Sequence, residues 1–322
     1  MIPDVKDINI PEKLILEIAN SEVDFCRKVR KCDPLEGAKQ LSFNYKYAIS
    51  YLECFIGKEK LKELKILEIG SGNAFSLCYA LKSGLHIVGI EPGIRYGFKD
   101  RYLRAINLLR INGIENPEDF LLDTSVESLP FNDNSFDIVF NVAVLEHVQN
   151  VNLAMEESIR VLKPGGIFWA NVPNYNSIYE GHYNIFWIPY INKNKAKFYV
   201  EKIFKRDPYF IDELNFTSPS MFKKYLNSSQ TYGRIYLYGK GVFGFIFNLY
   251  NYCMDIRLLP DPENSTGIRK AAILLIRNKM FNLCLRCPLY LLVKIMEAFG
   301  LALIFDIILH KRDKYENRIL QA

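Results

Sequence analysis

Two glycines separated by one residue stand directly after a short apolar run, Leu64 to Ile69. In Gly70-Ser71-Gly72 the missing side chains let the backbone approach a ligand closely at the start of the next helix, where backbone N–H groups point outward. Glu91 follows at the end of the next predicted strand, and its two oxygens can accept both hydroxyls of a ribose. These features predict a nucleoside-binding site.

The glycine spacing also indicates which kind of nucleoside is bound. A dinucleotide fingerprint needs a third glycine, but Phe75 stands at that position and would block close approach to a pyrophosphate. Glu91 does not discriminate, because dehydrogenases use an acid at the same place.

Three further stretches follow the glycine loop in the chain. With the loop, they resemble the motifs of class I S-adenosylmethionine-dependent methyltransferases of the type 11 branch, in order and spacing over residues 64–173. The stretches are Thr124 to Phe131 with Asn134 to Asp137, Asn141 to Val148, and Arg160 to Gly166.

Two positions depart from this pattern. Ala74 replaces the last glycine of the loop, and Ser125 stands where an acid usually faces the adenine amino group. A serine oxygen can accept that hydrogen bond, though more weakly than a carboxylate. The resemblance implies that S-adenosylmethionine is the cofactor and that the residues binding it are Glu68, Gly70, Ser71, Gly72, Glu91, Pro92, Ser125, Val126 and Asn141.

The stretch after the fourth predicted strand bears on substrate and metal. Methyltransferases that act on exocyclic amino groups of bases carry an Asn-Pro-Pro-Tyr-like motif there, but this chain has Asn141 to Val144, so we expect no nucleic-acid substrate. Ubiquinone-pathway relatives can bind a metal at their Leu-Glu-His region with an earlier glutamate. Ala143 replaces that glutamate, so we expect no metal at Glu146 and His147. His147 is assigned to the substrate side, and a satisfied helix-start histidine is the alternative.

The segment after Pro173 is predicted to bind the methyl acceptor. Its stretches Glu180 to Tyr183 and Phe186 to Pro189 resemble those of type 11 relatives in surface-polysaccharide and lipid-linked glycan pathways. His182 titrates near neutrality, which suits a general base, and the alternative is a packing histidine tied to Tyr183 or Glu180. Tyr183 and Trp187 either stack on a sugar or prenyl face or pack in the core.

Strand-like and helix-like segments alternate from Leu64 to Val172, which implies right-handed βαβ units. We predict an α/β fold with a doubly wound, mostly parallel seven-stranded sheet of the Rossmann-like methyltransferase type. The last strands are predicted at Thr231–Tyr238 and Ala271–Arg277, with an apolar helix over Val242–Met254 between them.

The chain is divided by this pattern into three parts. Residues 1–60 are predicted to form a helical cap, and residues 61–280 the methyltransferase domain with an insertion after strand five at 174–230. Residues 281–322 are predicted to form an apolar helix and a basic tail.

Charge and cysteines bear on the environment of the protein. Residues 1–180 carry 20 basic and 25 acidic residues, whereas residues 181–322 carry 21 and 11, so the second half suits an anionic partner. The seven scattered cysteines indicate a reducing compartment, and the single CxxC of Cys284 and Cys287 has no second pair that would indicate zinc. No apolar run precedes Asn20, so we expect no signal peptide and a cytoplasmic protein.

The apolar stretch Pro288–Leu309 leaves three interpretations open. Its 22 residues include three charges, which disfavours a membrane span. The adjoining basic cluster His310 to Arg312 favours peripheral contact of residues 283–312 with the cytoplasmic membrane. The other interpretation is a core helix or the helix of a homodimer.

The expected function is O-methylation of a sugar or a lipid-linked glycan intermediate at the cytoplasmic membrane face. One alternative is methylation of a soluble small molecule, with the C-terminal helix used for dimerisation. Another is a catalytically silent scaffold.

Overall fold

The computed structural model describes residues 7–43, 45–93, 100–255 and 273–313. Within these residues the strands are β1 (Lys65–Ile69), β2 (His86–Ile90), β3 (Leu121–Leu122), β4 (Phe136–Val142), β5 (Leu162–Pro173), β6 (Tyr179–Glu180), β7 (Ile185–Phe186), β8 (Thr231–Tyr238) and β9 (Ile304–Lys311).

Helices lie before, between and after these strands. They are α1 (Glu12–Ser21), α2 (Pro34–Phe43), α3 (Tyr47–Ile56), α4 (Lys58–Leu61), α5 (Phe75–Lys82), α6 (Arg101–Ile111), α7 (Val151–Val161), α8 (Lys193–Phe198), α9 (Pro219–Phe222), α10 (Gly241–Met254) and α11 (Lys279–Ala298). Shorter turns of π-helix span Phe25–Arg30 and Tyr199–Ile203, and 3₁₀ turns span Pro117–Asp119, Pro208–Ile211 and Lys223–Tyr225.

Seven of the strands form one sheet in the order β3-β2-β1-β4-β5-β9-β8. The first five are parallel, and β9 runs antiparallel to both β5 and β8. The predicted doubly wound, mostly parallel seven-stranded sheet is therefore confirmed. The strand order reverses between β1 and β4, so their carboxyl ends form the crevice where such sheets bind ligands.

Two apolar cores cover the two faces of the sheet. One contains residues of the cap helices and of α5 and α6, and the other contains residues of α7, α10 and α11. The cap is held to the sheet partly by stacking of Tyr51 on Trp169, whose ring centroids lie 4.2 Å apart. Such aromatic pairs add about 0.5–1.5 kcal/mol beyond their buried area.

The prediction for the end of the chain is wrong in two places. Residues 273–277 of the predicted strand Ala271–Arg277 are helical, and residues 271–272 lie outside the described residues. The predicted helix Pro288–Leu309 ends at Ala298, after which Gly300 adopts a left-handed conformation (φ +71°) and β9 begins. A short continuous apolar run fits a buried strand as well as a buried helix, and periodicity cannot separate them.

The position of β9 also corrects the predicted separation of residues 281–322 from the domain. Phe305, Ile307 and Leu309 are buried in the sheet between β5 and β8, so this segment completes the domain. Buried in this way, β9 is not available for the membrane contact that was predicted through 283–312.

Between β5 and β8, residues 174–230 form the substrate-side segment. They contain the small antiparallel β6–β7 pair and α8, and they have an apolar core of their own that includes Tyr183 and Trp187. In the described residues, no helix has both the length and the apolar character needed to cross a bilayer. Cys26, Cys32, Cys54, Cys78 and Cys253 are free thiols, and the side chains of Cys284 and Cys287 lie outside the described residues.

Asp306 is a fully buried acid in the middle of β9. Asn171 of β5 donates a hydrogen bond from Nδ2 to Asp306 Oδ1 at 2.6 Å. Burial nevertheless raises the pKa of Asp306 from 3.8 to about 6, because the charged form loses its hydration.

This shift predicts that Asp306→Asn raises the free energy of unfolding by an amount that depends on pH. Because the folded-state pKa of Asp306 is raised, the stabilisation that its protonated carboxyl contributes is fully present below pH 3.8. This stabilisation is lost as the pH rises through about 6. The amide keeps an acceptor for Asn171 and cannot ionise, so at neutral pH we expect a gain of roughly 2–3 kcal/mol in the free energy of unfolding. Urea unfolding over a pH series measures it.

Glu59→Gln is the matched control, since Glu59 is an exposed acid on α4. It should change the free energy of unfolding by less than about 1 kcal/mol, because it removes only an exposed ion pair with Lys62. A gain for Asp306→Asn that is equally large below pH 3.8 would contradict the assignment of burial as its cause.

Candidate active site

The glycine loop lies where β1 passes into α5. The N–H groups of Gly70 and Ser71 both donate to the carbonyl oxygen of Ile90, at 2.9 and 3.0 Å, and so fasten the loop to the end of β2. Gly70 has φ +72°, and a Cβ there would lie 2.5 Å from Val144 Cγ2. Glycine is required at this position by both the backbone conformation and the packing.

Glu91 closes the loop from the end of β2. Its Oε2 accepts a hydrogen bond from the N–H of Gly72 at 2.8 Å, and Arg101 Nη1 lies 3.5 Å from its Oε1. Burial raises the pKa of this carboxyl, and the nearby Arg101 charge and the Gly72 N–H oppose the shift. The sequence placed Gly72 and Glu91 in one site, and the structure brings them into contact.

Glu68 lies beneath the loop and is buried. Ser71 Oγ donates to Glu68 Oε2 at 2.9 Å, which fixes the serine side chain. Desolvation raises the pKa of Glu68 to about 7, and the hydrogen bonds from Ser71 and Ser76 only partly oppose it. Glu68 therefore can carry a proton near neutral pH.

A cavity of about 620 Å³ opens above this loop. Eight of the nine predicted cofactor residues line it: Glu68, Gly70, Ser71, Gly72, Glu91, Pro92, Ser125 and Val126. Asn141 does not line it, because its side chain is fully buried in β4. The volume lies in the range of small-molecule and cofactor sites.

Sequence reasoning missed Glu127, which also lines the cavity. Ser125 Oγ donates a short hydrogen bond to Glu127 Oε2, and Glu127 Oε1 accepts from the N–H of Gln149 at 2.7 Å. An acid thus stands two residues after the serine that replaces the usual one. Its presence in the Ser125-Val126-Glu127 stretch was the available signal.

The N-terminal cap supplies a second missed part of the wall. Phe25, Arg30, Tyr45 and Tyr47 line the cavity together with Phe210 of the substrate-side segment. No motif marks these residues, and only the packing of the cap over the sheet brings them to the site.

His182 lies in the cavity wall beside a buried carboxylate. Its Nδ1 lies 2.8 Å from Glu180 Oε1, and the Tyr175 hydroxyl lies 3.3 Å from the same oxygen. Glu180 Oε2 accepts from the N–H of Tyr183 at 2.6 Å. These contacts orient the imidazole, and Nδ1–H donation to Glu180 leaves Nε2 with the lone pair.

Glu146 and His147 face His182 from the loop after β4. The rings of His147 and His182 meet edge to face at 5.1 Å, and nitrogen or oxygen atoms of all three side chains lie within 4.8 Å of one another. Asn215 holds the loop by donating its N–H to the Glu146 carbonyl at 2.6 Å. The three side chains together could hold a cation or share a proton. No signal in the sequence indicated that His182 joins Glu146 and His147.

The buried groups of this cluster have shifted pKa values. Burial raises the pKa of Glu146 to about 7 against the opposing charge of His182, and neither carboxyl oxygen has a hydrogen-bond partner among the described residues. Burial, and then the His182 charge, lower the pKa of His147 well below its usual value. Burial would lower the His182 pKa, but the charge and hydrogen bond of Glu180 and the Glu146 charge outweigh it, so that pKa is raised.

The substrate assignment of Tyr183 and Trp187 is corrected by the structure. Both side chains are completely buried and neither lines the cavity. Tyr183 donates its hydroxyl to the Asp207 carbonyl at 2.9 Å, and Trp187 donates Nε1 to the Tyr175 carbonyl at 3.1 Å. They pack the substrate-side segment and hold Tyr175 in place, and have no face left for a ligand.

A sequence profile of the methyltransferase domain family matches residues 67–170, which contain the glycine loop, Glu91 and the β4 and β5 strands. This part of the chain is therefore a methyltransferase domain of the family that its motifs resemble. Such domains use S-adenosylmethionine, which when bound supplies a methyl group on a positively charged sulfur.

Curated relatives share mainly this region. A tRNA U34 carboxymethyltransferase of Ruthia magnifica is 32% identical over 107 residues, covering 33% of this chain and 31% of the relative. A ubiquinone biosynthesis O-methyltransferase of Bartonella tribocorum is 28% identical over 145 residues, covering 42% and 54%. The chain thus spans about a third to a half of the length of these relatives.

Among solved structures, the geranyl diphosphate C-methyltransferase of Streptomyces coelicolor is similar with a TM-score of 0.42 and 14% identity, covering 77% of this chain and 71% of that one.

The close packing of Gly70 predicts a selective effect of Gly70→Ala. A left-handed conformation costs an alanine about 1–2 kcal/mol, and at this position its Cβ would also collide with Val144. We expect the affinity for S-adenosylhomocysteine, measured by calorimetry, to fall about tenfold or more, since the loop must move.

Gly113→Ala is the control, because Gly113 has φ +78° and open space around its Cβ position. It should lose similar stability from backbone strain and keep the cofactor affinity. Equal affinities in the two variants would refute the role given to the Gly70–Val144 contact.

Proposed function

We propose that the methyltransferase transfers methyl to a hydroxyl oxygen of its acceptor and that His182 removes the hydroxyl proton. The observation that carries this proposal is the Glu180–His182 contact of 2.8 Å in the wall of the cavity that the glycine loop also lines. A base and a cofactor loop in one cavity are what an O-methyl transfer needs.

The residues proposed to bind the cofactor are those that the cavity exposes. Gly70 and Gly72 present backbone without side chains, and Glu91 offers carboxylate oxygens suited to ribose hydroxyls. Ser125, supported by Glu127, would meet the adenine. Asn141 is left out of this set, because its side chain is buried in β4 and does not line the cavity.

His182 and its neighbours carry the acid–base part of the reaction. A hydroxyl is a poor nucleophile, and proton removal by a positioned base contributes about 10²–10⁴-fold. Glu180 lies ionised beside the imidazole, since the His182 charge and the hydrogen bonds keep the pKa of this carboxyl low despite burial. It holds Nδ1 protonated and stabilises the imidazolium that forms. The remaining contribution is alignment of the acceptor oxygen, which can supply up to about 7–11 kcal/mol in well-oriented cases.

For the acceptor we propose a sugar or a lipid-linked glycan intermediate. The Glu180–Tyr183 and Phe186–Pro189 stretches resemble relatives of glycan pathways, and the wall offers aromatic faces that suit sugar rings or prenyl chains, from Phe25, Tyr45, Tyr47 and Phe210. The alternative is a soluble small molecule. A further alternative, an intermediate of ubiquinone biosynthesis, is favoured by the likeness to the ubiquinone biosynthesis O-methyltransferase.

The His182 assignment predicts the shape of the pH–rate profile. A base must be neutral, so the rate falls as the pH drops through the raised pKa of His182, and we expect the acid limb above 6.5. The charged and titratable groups facing this imidazole are Glu180, Tyr175, Glu146, His147 and Arg30.

Two variants test the assignment. His182→Ala should lower kcat about 10²–10⁴-fold with little change in affinity for S-adenosylhomocysteine. Glu180→Gln keeps an acceptor for Nδ1–H but removes the charge that favours the imidazolium, so it should move the acid limb to lower pH. Turnover that survives His182→Ala, or a limb that stays in place in Glu180→Gln, would show that the histidine only packs. Activity that survives EDTA would support the expectation that no metal is bound, whereas loss of activity would assign a cation to the cluster of Glu146, His147 and His182.

The acceptor can be identified directly. Mass spectrometry of glycan, lipid and quinone extracts from cells with and without the active protein should reveal one species that is heavier by a methylene when the protein is present. A glycan or lipid-linked species supports the first acceptor class, and a quinone precursor or a soluble metabolite supports the alternative.

A further inference from the structure

We propose that the protein docks on an anionic lipid bilayer through one surface, formed by the outward side of α11 and by residues 186–203. We refer to this surface as the docking face. It differs from the contact predicted through 283–312, because β9 lies buried in the sheet and residues 186–203 lie outside that range.

Helix α11 is apolar on two opposite sides. Leu289, Val293 and Met296 recur at helical spacing and are buried against the domain. The outward side carries large apolar residues with exposed fractions of 40–69%, namely Tyr290, Leu291, Leu292 and Ile295, with Phe299 just after the helix, and the Lys294–Glu297 ion pair stands among them. A surface helix normally carries polar residues on its outer side, so this pattern indicates that something apolar covers it.

The substrate-side segment presents a second apolar group. Its large side chains have exposed fractions of 42–65% at Phe186, Ile188, Tyr190, Phe198 and Ile203. Scattered exposed apolar residues are ordinary, but five within one short segment of α8 and its flanking turns are not.

The two groups adjoin each other at the end of α11. The N–H of Ile178 donates to the Gly300 carbonyl oxygen at 2.8 Å, and a Cβ on Gly300 would lie 2.8 Å from Pro189 Cγ. Gly300, which follows Phe299, therefore lies against the turn that carries Ile188 and Tyr190. The docking face that we propose joins the two apolar groups at this contact.

Charge on this face favours anionic lipid as the partner. Residues 184–206 contain five lysines and one arginine against a single acid, Glu201. Lys195 and Lys205 are exposed and form no ion pair among the described residues. An apolar surface bordered by lysines suits the headgroup region, where apolar groups enter and lysines meet lipid phosphates.

A second copy of the chain fits this face less well. A two-fold interface places the same patch on both sides, so it would bring two sets of the lysines of residues 193–205 into one interface. Lysine is also depleted from the cores of protein interfaces.

Vesicle co-sedimentation with the full chain tests the proposal without cofactor or acceptor, so its outcome is independent of the proposed reaction. Phosphatidylcholine vesicles with and without phosphatidylserine are compared, with four proteins: the unaltered chain, Phe198→Glu with Leu291→Glu, Lys195→Glu with Lys205→Glu, and Leu103→Glu. Leu103 is the control because it is an equally exposed apolar residue on α6, outside the face.

We expect binding to phosphatidylserine vesicles that weakens with salt. Each lysine near an anionic surface contributes about fivefold in affinity, so reversing two should weaken binding about 25-fold or more. The variant with Phe198→Glu and Leu291→Glu should bind the vesicles about tenfold or more weakly, and Leu103→Glu should bind them as tightly as the unaltered chain. Thermal unfolding of all variants shows whether they are folded.

Three results would overturn the proposal. The first is absence of binding to either vesicle by the unaltered chain. The second is a loss of vesicle binding in Leu103→Glu that equals the loss in the variants of the docking face. The third is a dimer in sedimentation that Leu291→Glu dissociates, without vesicle binding, which would assign the face to a second copy of the chain.

Discussion

The hydrogen bonds between the ends of β1 and β2 are the constraint on which the site depends. The Ile90 carbonyl receives two N–H groups of the glycine loop, and the next residue, Glu91, receives a third from Gly72. The loop can adopt this path only because Gly70 fits against Val144 of the loop after β4. One cluster of contacts therefore sets the floor of the cavity, aims the Glu91 carboxylate and fixes the distance between β1, β2 and β4.

Burial then divides the acids of the site between two states. Glu180 is buried with a histidine and several N–H donors and stays ionised, whereas Glu146 is buried without a hydrogen-bond partner among the described residues and holds its proton up to about pH 7. Two acids of the same type thus differ because one accepts hydrogen bonds and the other, within the described part of the chain, does not. The charge and hydrogen bond of Glu180 outweigh the burial of His182 and make its imidazole a stronger base than an isolated buried histidine.

The sequence predicted best what is local. The glycine loop, Glu91 and the strands from β1 to β5 follow from turn chemistry and short apolar runs, and the motifs fixed which end of the sheet holds the site. Prediction was poor where contacts between residues far apart in the sequence determine the local structure. Periodicity could not tell that Ile304–Lys311 is a strand, and nothing in their own neighbourhood showed that Tyr183 and Trp187 are buried. The contribution of Tyr45 and Tyr47 to the cavity arises from the docking of the cap, which no local pattern encodes.

The insertion of β9 between β5 and β8 has a consequence for how the protein is made. During synthesis both neighbours leave the ribosome as unpaired edges and stay so until residues 304–311 have been added, a state that invites wrong strand pairing. Ile304 of the same strand also lines the cavity. A nascent chain stopped before β9 therefore lacks part of the cavity wall and part of its sheet together, and protein quality control would meet an incomplete fold.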